Sequence, residues 1–218
     1  MRLPRLAAAL ALTAATLLPL AARAQAQPAP NRVLRVAPHA DLKTLDPVAA
    51  SIVITRMHGL MIYETLFAWD SNLQPKPQMV ESFETSPDKL TWTFTLRPGL
   101  KFHDGQPVTT KDVAFTLEVG RHPLSGVASA EGYKRVLKLD VKDDRRFTMT
   151  IDRVTFDYNS SGLQLLPADI EKPIFEANPA EYRNKTAFDT QSTNPGLGFG
   201  PYRITEIVAG SRITLEQN

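Results

Sequence analysis

No cysteine occurs among the 218 residues, which excludes disulfide bridges and cysteine-held metal clusters and leaves stability to the packed core. Histidine is scarce as well. The four histidines, His39, His58, His103 and His122, are scattered along the chain, whereas metal ligation needs several donors converging on one point. No Ser-His-Asp, Cys-His or paired-carboxylate arrangement can be specified by spacing, so no catalytic residue is named and no enzyme is expected. Gly196-Leu197-Gly198-Phe199-Gly200 lacks the lysine of a P-loop and runs into Pro201 rather than a helix start, which argues against a phosphate cradle. Asp140, Asp143, Asp144 and Asp152 lack the spacing and glycine of a calcium loop and read as a solvated hairpin end. There is no basic patch of the nucleic-acid type and no internal repeat.

What is present is an ordinary globular composition, 43% hydrophobic and 22% charged, behind an N-terminal leader. Arg2 and Arg5 precede an apolar run from Leu6 to Leu20 broken only by Thr13, Thr16 and Pro19, and Ala22-Arg23-Ala24 and Ala24-Gln25-Ala26 both offer small-x-small cleavage sites. Residues 1–26 therefore read as a secretory signal peptide. The run falls short of the ~20 residues a membrane helix needs, and no cysteine follows to carry a lipid. Loss of Arg2, Arg5 and Arg23 with the leader reduces 25 basic residues to 22 against 23 acidic ones, so the formal charge changes from +2 to −1. A soluble periplasmic protein is expected. The sequons Asn159-Ser160-Ser161 and Asn184-Lys185-Thr186 are read as chance matches.

Beyond a tether containing Pro28 and Pro30, Arg32 to Ala37 alternates as a first strand would. Ile54, Met57 and Met61 fall on one helical face, with Leu60, Tyr63 and Phe67 beside it, which predicts a helix over roughly 53–65. His58 lies at helical spacing from Ile54, Met61 and Ile62. It is expected to be buried and satisfied by a backbone carbonyl, the alternative being a cleft-facing side chain that tunes affinity near pH 6.5. Leu90, Trp92, Phe94 and Leu96 alternate with Thr91, Thr93 and Thr95, the pattern of a half-buried strand. Arg97-Pro98-Gly99 and Asp104-Gly105 supply turns around a short strand at Leu100-Lys101-Phe102. Thr109 stands three residues before Asp112, a capping-box start for a helix with Val113 and Leu117 one turn apart and Gly120 as a stop. Leu137, Leu139 and Val141, then Phe147, Met149 and Ile151, predict a hairpin turning at Asp143-Asp144 that extends the same sheet. A helix over Ile170 to Ala177 follows, and the chain closes on a pair, Ile204 to Val208 and Arg212 to Leu215, about Ala209-Gly210-Ser211.

The run Val80-Glu81-Ser82-Phe83, Trp92-Thr93-Phe94-Thr95-Leu96-Arg97, Phe102-His103-Asp104-Gly105-Gln106-Pro107-Val108 and Asp112-Val113-Ala114-Phe115 resembles the signature region of the family 5 extracellular solute-binding proteins, the oligopeptide, dipeptide and nickel receptors of ABC importers. The resemblance implies an α/β fold of the type II periplasmic binding protein class, multi-lobed, with a mixed sheet and flanking helices. It implies residues 27–70 as the start of lobe I, 71–190 as an inserted mixed α/β subdomain, and 191–218 as a return into lobe I, with the chain an N-terminal fragment. The implied function is capture of a small solute, a peptide first, and its delivery to the permease of an inner-membrane ABC transporter by a monomer needing no cofactor and no metal. Ser51, Ile52 and Val53, just past Leu45-Asp46-Pro47, are the implied ligand contacts, with backbone groups of Val53 pairing with ligand main chain. Asp46 itself reads as a structural cap. Several peptide receptors hold the ligand ammonium with an acidic residue near the place of Ser51, and its replacement leaves room for a nickel chelate, a sugar or an opine. A periplasmic chaperone or sensor domain, and more remotely a periplasmic hydrolase, are the readings from other classes.

Overall fold

A computed structural model describes residues 33–46, 48–128, 130–154 and 163–218. The leader, the tether and the sequon at Asn159 lie outside the described residues. The chain divides into two units, residues 1–37 and 38–218. Of the first, residues 33–37 are described, and they are not the expected strand: they have no regular structure, and Val33, Leu34 and Val36 are exposed. Alternation makes a strand only against a pairing edge, and no registered pairing includes these residues.

The second unit is mixed α/β. It runs α1 (Val53–Ile62), β1 (Phe67–Trp69), β2 (Pro75–Pro77), β3 (Val80–Thr85), β4 (Thr91–Leu96), α2 (Thr110–Arg121), α3 (Ala130–Lys134), β5 (Val136–Val141), β6 (Arg146–Ile151), α4 (Ala168–Ala177), a short α5 (Ala187–Thr190), β7 (Tyr202–Val208) and β8 (Arg212–Gln217). Single 3-10 turns at Tyr182–Asn184 and Pro195–Leu197 flank α5.

A four-stranded antiparallel sheet in the order β3-β4-β6-β5 forms the framework. In β4 Trp92, Phe94 and Leu96 are buried while Thr91, Thr93 and Thr95 are half-buried, as the alternation predicts. Thr93 and Thr148 join hydroxyls across the β4–β6 pair at 3.0 Å, and Phe94 meets Phe147 at 5.2 Å. The β5–β6 hairpin forms in the expected place, with Leu139 opposite Met149 and Val141 opposite Phe147. A bulge between Val136 and Lys138 departs from the simple alternation and turns Leu137 outward.

The capping box of α2 is complete. Thr109 accepts from Lys111 N, and Asp112 accepts from the Thr109 N–H at 2.8 Å. Gly120 does not stop the helix; it lies inside it, where a methyl group would meet the Tyr133 ring at 2.2 Å, so its role is close packing of α3 against α2. The expected short strand at 100–102 reduces to one bridge between Lys101 and Pro107. The turn beside it is as read: Asp104 Oδ1 accepts from Gln106 N, and Gly105 takes φ +89° with open space around it. α4 begins two residues before Ile170. The β1–β2 and β7–β8 hairpins are separate two-stranded sheets, and Gly210 turns the second with φ +68°.

Candidate functional site

The segment carrying Ser51, Ile52 and Val53 is held at both of its ends by side chains distant in sequence. Thr44 Oγ1 donates to Asp189 Oδ2 at 2.8 Å and Leu45 N–H donates to Asp189 Oδ1 at 2.9 Å, which ties the start of the loop to α5. Asp46 Oδ1 then accepts from Val48 N–H at 2.8 Å and Ala49 N–H at 2.9 Å. The aspartate is the structural cap its position suggested, and it is fully buried. Thr55 Oγ1 donates to Thr44 O at 3.1 Å, fixing the first turn of α1 over the loop. Leu45, Val48, Ala49 and Ala50 are buried; the chain then emerges, and Ser51, Ile52 and Val53 are all exposed.

Ile52 is extended (φ −67°, ψ 132°) and is the N-cap of α1, with no side-chain cap and no acidic residue in the first turn. Val53 is thus the first helical residue rather than part of an extended segment. Its N–H is one of the donors an α-helix leaves unpaired at its start, while its carbonyl belongs to the helix. The extended edge at this position is Ser51 and Ile52, continued by the Val53 N–H.

α1 presents a different face from the one its apolar spacing predicts. Ile54, Thr55, His58, Gly59 and Ile62 are buried, and Met57, Leu60 and Met61 are exposed. The helix also ends at Ile62, three residues before the expected limit, because Tyr63 is extended. His58 is inside, which removes the cleft-facing alternative. The expected carbonyl partner is missing at Nε2, which is buried without a hydrogen bond, and burial pushes its pKa down to about 4.

The far end of α1 is gripped by the glycine motif. Ile62 O accepts from Phe199 N–H at 3.0 Å and Gly200 N–H at 2.8 Å; His103 N–H donates to Gly198 O at 2.8 Å, and His103 Nε2 pairs with Gly200 O at 3.0 Å. A methyl group on Gly198 would meet the His103 ring at 2.7 Å, and one on Gly200 would meet the Ile62 and Tyr63 backbone at 2.5 Å. Phe199 between them is buried edge-on against Tyr63 and Phe102, each with ring centroids 5.4 Å away. His103 is therefore half-buried and turned toward the glycine motif. This clasp was not anticipated, although glycines at every second position were its trace in the sequence.

Neither concavity at hand is a solute chamber. A pocket of about 30 Å³ between Leu45, Ile62, His103, Phe188 and Leu197 has room for a water molecule. An open groove of about 340 Å³ between α2 and α4 is lined by Lys111, Asp169, Glu118 and Lys172, which pair with one another. Among the described residues no group of three or more His, Cys, Asp or Glu side chains could hold a metal ion, and no helix is long and apolar enough to cross a membrane.

Residues 74–218 match the pattern of the bacterial extracellular solute-binding proteins, family 5, middle region. A probable peptide ABC transporter periplasmic-binding protein of Sinorhizobium fredii is 35% identical over 215 residues, 97% of this chain and 38% of that protein. A putative ABC transporter peptide-binding protein of Brucella ovis is 30% identical over 224 residues, 100% of this chain and 41% of that protein. The chain thus spans about two-fifths of the length of these curated relatives. Among solved structures, the oligopeptide-binding protein AppA of Bacillus subtilis, in complex with a nonapeptide, superposes with a TM-score of 0.72 at 22% identity, over 82% of this chain and 34% of that one. MoaA from A. tumefaciens R10, in complex with mannopinic acid, does so with a TM-score of 0.63 at 28% identity, over 82% and 35%. The fold is that of the type II periplasmic binding proteins, and the chain belongs to the bacterial extracellular solute-binding proteins, family 5.

Proposed function

We propose that this chain contributes one side of a periplasmic receptor that captures a small solute, a peptide in the first reading, and presents it to the permease of an inner-membrane ABC transporter without chemical change. In this reading residues 27–70 and 191–218 belong to the first lobe and 71–190 to an inserted subdomain. The lobes close over solute, and binding shifts the population from open to closed. The observation that carries the reading is the anchoring of Thr44, Leu45 and Asp46 and the burial of Val48, Ala49 and Ala50, immediately followed by the exposed edge Ser51-Ile52-Val53. A rigidly held, solvent-facing edge with unpaired N–H groups suits recognition of a ligand main chain, which supplies affinity independent of side-chain identity.

A second reading follows from the start of α1. Its N–H groups are uncapped and no carboxylate stands in its first turn, so the helix end favours an oxygen acceptor or an anion over an ammonium group. Ser51 supplies no negative charge either. An acidic non-peptide solute meets these groups as well as a peptide carbonyl does. Such a solute is bound by MoaA, described in complex with mannopinic acid.

Mass spectrometry of whatever small molecules co-purify with the gene product from periplasm separates the two. Intact short peptides support the first reading and an organic acid the second. Recovery of cleaved fragments from an added peptide pool contradicts both, because a receptor returns its ligand unchanged.

A further inference from the structure

Behind the contact segment lies a buried polar cluster that the solute reading does not use. Asp46, at the end of the anchored loop, and Glu171, on α4, are both fully buried. Each spends one carboxylate oxygen on backbone donors: Asp46 Oδ1 on Val48 and Ala49, and Glu171 Oε1 on the Ala187 N–H of α5 at 2.8 Å. The other oxygen of each, Asp46 Oδ2 and Glu171 Oε2, is buried without a close, well-aligned hydrogen bond, and so are the hydroxyls of Tyr63, Tyr182 and Thr186. These atoms belong together. Asp189, two residues from Ala187 on α5, holds Thr44 and Leu45 next to Asp46; Tyr63 packs edge-on against Phe188 at 5.6 Å, and Tyr182 packs edge-on against Phe175 of α4 at 5.2 Å. The Thr186 hydroxyl faces Asp46 and the Tyr182 hydroxyl faces Glu171, each as a long, weak donor that partly offsets the burial of the carboxyl.

Buried polar atoms so poorly satisfied do not persist dry in a folded interior. Two carboxylates that feel one another in such a place cannot both ionise at ordinary cost. We propose that Asp46 and Glu171 share one proton through a buried hydrated cluster with Tyr63, Tyr182 and Thr186, and that this proton fastens the loop at residues 44–50 to α4 and α5. A protonated carboxyl becomes a donor, and a bridging water satisfies the remaining hydroxyls. The groups that face the pair are Asp189 on α5, Tyr63 at the end of α1, Tyr133 on α3, and Tyr182 and Thr186 on the segment before α5. Asp189 adds repulsion toward Asp46 rather than relief.

The consequence is a fold whose anchoring weakens as pH rises. Burial first pushes Asp46 up to about 6, with the Asp189 charge adding to it, and burial first and then the Asp46 charge push Glu171 up to about 7. Both folded values lie above the unfolded ones, so the contribution is full below the ordinary carboxylate range and is lost as pH rises through 6 to 7. Because the loop ends at Ser51-Ile52-Val53, the same proton would set the position of the proposed solute edge; that last step alone rests on the solute reading.

The test needs no solute. Thermal midpoints of the purified chain and of its Glu171→Gln and Asp46→Asn variants are measured from about pH 4.5 to about pH 8.5, a span that brackets ordinary and raised carboxylate values. The fall of the wild-type midpoint toward high pH is expected to be at least halved in Glu171→Gln, and Asp46→Asn, which keeps its Oδ1 acceptor, is expected to behave likewise. Three parallel curves overturn the proposal. Should a variant not fold, infrared titration of the wild-type chain decides: a protonated-carboxyl stretch persisting near neutral pH supports the shared proton, and its disappearance at the pH where exposed carboxyls ionise overturns it. Neither readout depends on what solute the receptor carries.

Discussion

Gly200 shows how much the site depends on single positions. Its missing side chain lets the return segment lie against the Ile62 and Tyr63 backbone, and a methyl group placed there would meet main-chain atoms at 2.5 Å, which cannot rotate away as a side chain can. Gly200→Ala is expected to lower unfolding stability in urea by about 1–3 kcal/mol, the usual scale of overpacking; an unchanged midpoint would show that the clasp yields freely. His58 gives a prediction of opposite sign to the carboxyl pair. Its folded pKa of about 4 lies below the ordinary 6.5, so its contribution is present above pH 6.5 and is lost as pH falls toward 4. His58→Leu is expected to remove part of the acid-side loss, on the order of 2–3 kcal/mol at full protonation, while leaving the high-pH limb unchanged. Equal acid sensitivity in both proteins contradicts this. Asp46 was legible in the sequence as a cap, because an Asp before a turn accepts nearby backbone N–H groups. Its partner Glu171 was not: the pair is 125 positions apart and no local pattern links them.

Among the elements, α2 is tied down at its first turn by more than a cap. Asp112 Oδ2 closes the capping box with Thr109, and Oδ1 accepts from the Ala168 N–H of α4 at 2.9 Å. Thr109→Ala should therefore cost about 1 kcal/mol, whereas Asp112→Ala should cost a further ~1–3 kcal/mol for the stranded Ala168 donor. Equal losses in chemical denaturation would mean that α4 does not depend on that bond. In the sheet, Phe147 is fully buried against Phe94, and Phe147→Ala is expected to cost about 3–5 kcal/mol; a loss below that of the cap mutation would contradict its place in the core. The strands β4, β5 and β6 and the helix α2 were legible because their signals are local: period two, turn residues, a capping box. The outward face of α1 was not: Ile54, Met57 and Met61 do share a helical face, but Met57 and Met61 are exposed and packing buries Thr55, His58 and Gly59 instead. Residues 33–37 likewise carry a strand pattern without a registered partner.

At the scale of the whole molecule, the family was legible from the ordered run at 80–115, and the matched region at 74–218 contains all of it. That run is scaffold, however. Its aromatics fill the core and its helix braces α4, so it identifies the fold while contributing little to choosing a solute. The candidate contacts lie upstream of it. They were placed by likeness to the family, and the geometry adds what the sequence could not: a loop nailed down at Thr44, Leu45 and Asp46, then an exposed edge running into an uncapped helix. The solved structures that share the fold carry ligands as different as a nonapeptide and mannopinic acid. Hydrogen exchange tests the proposed contact edge directly, on the purified gene product compared with and without any small molecule that co-purifies with it. Slowed exchange at the Ile52 and Val53 amides on solute binding is the predicted result; protection confined to other segments, with these amides unchanged, would contradict the assignment of the edge.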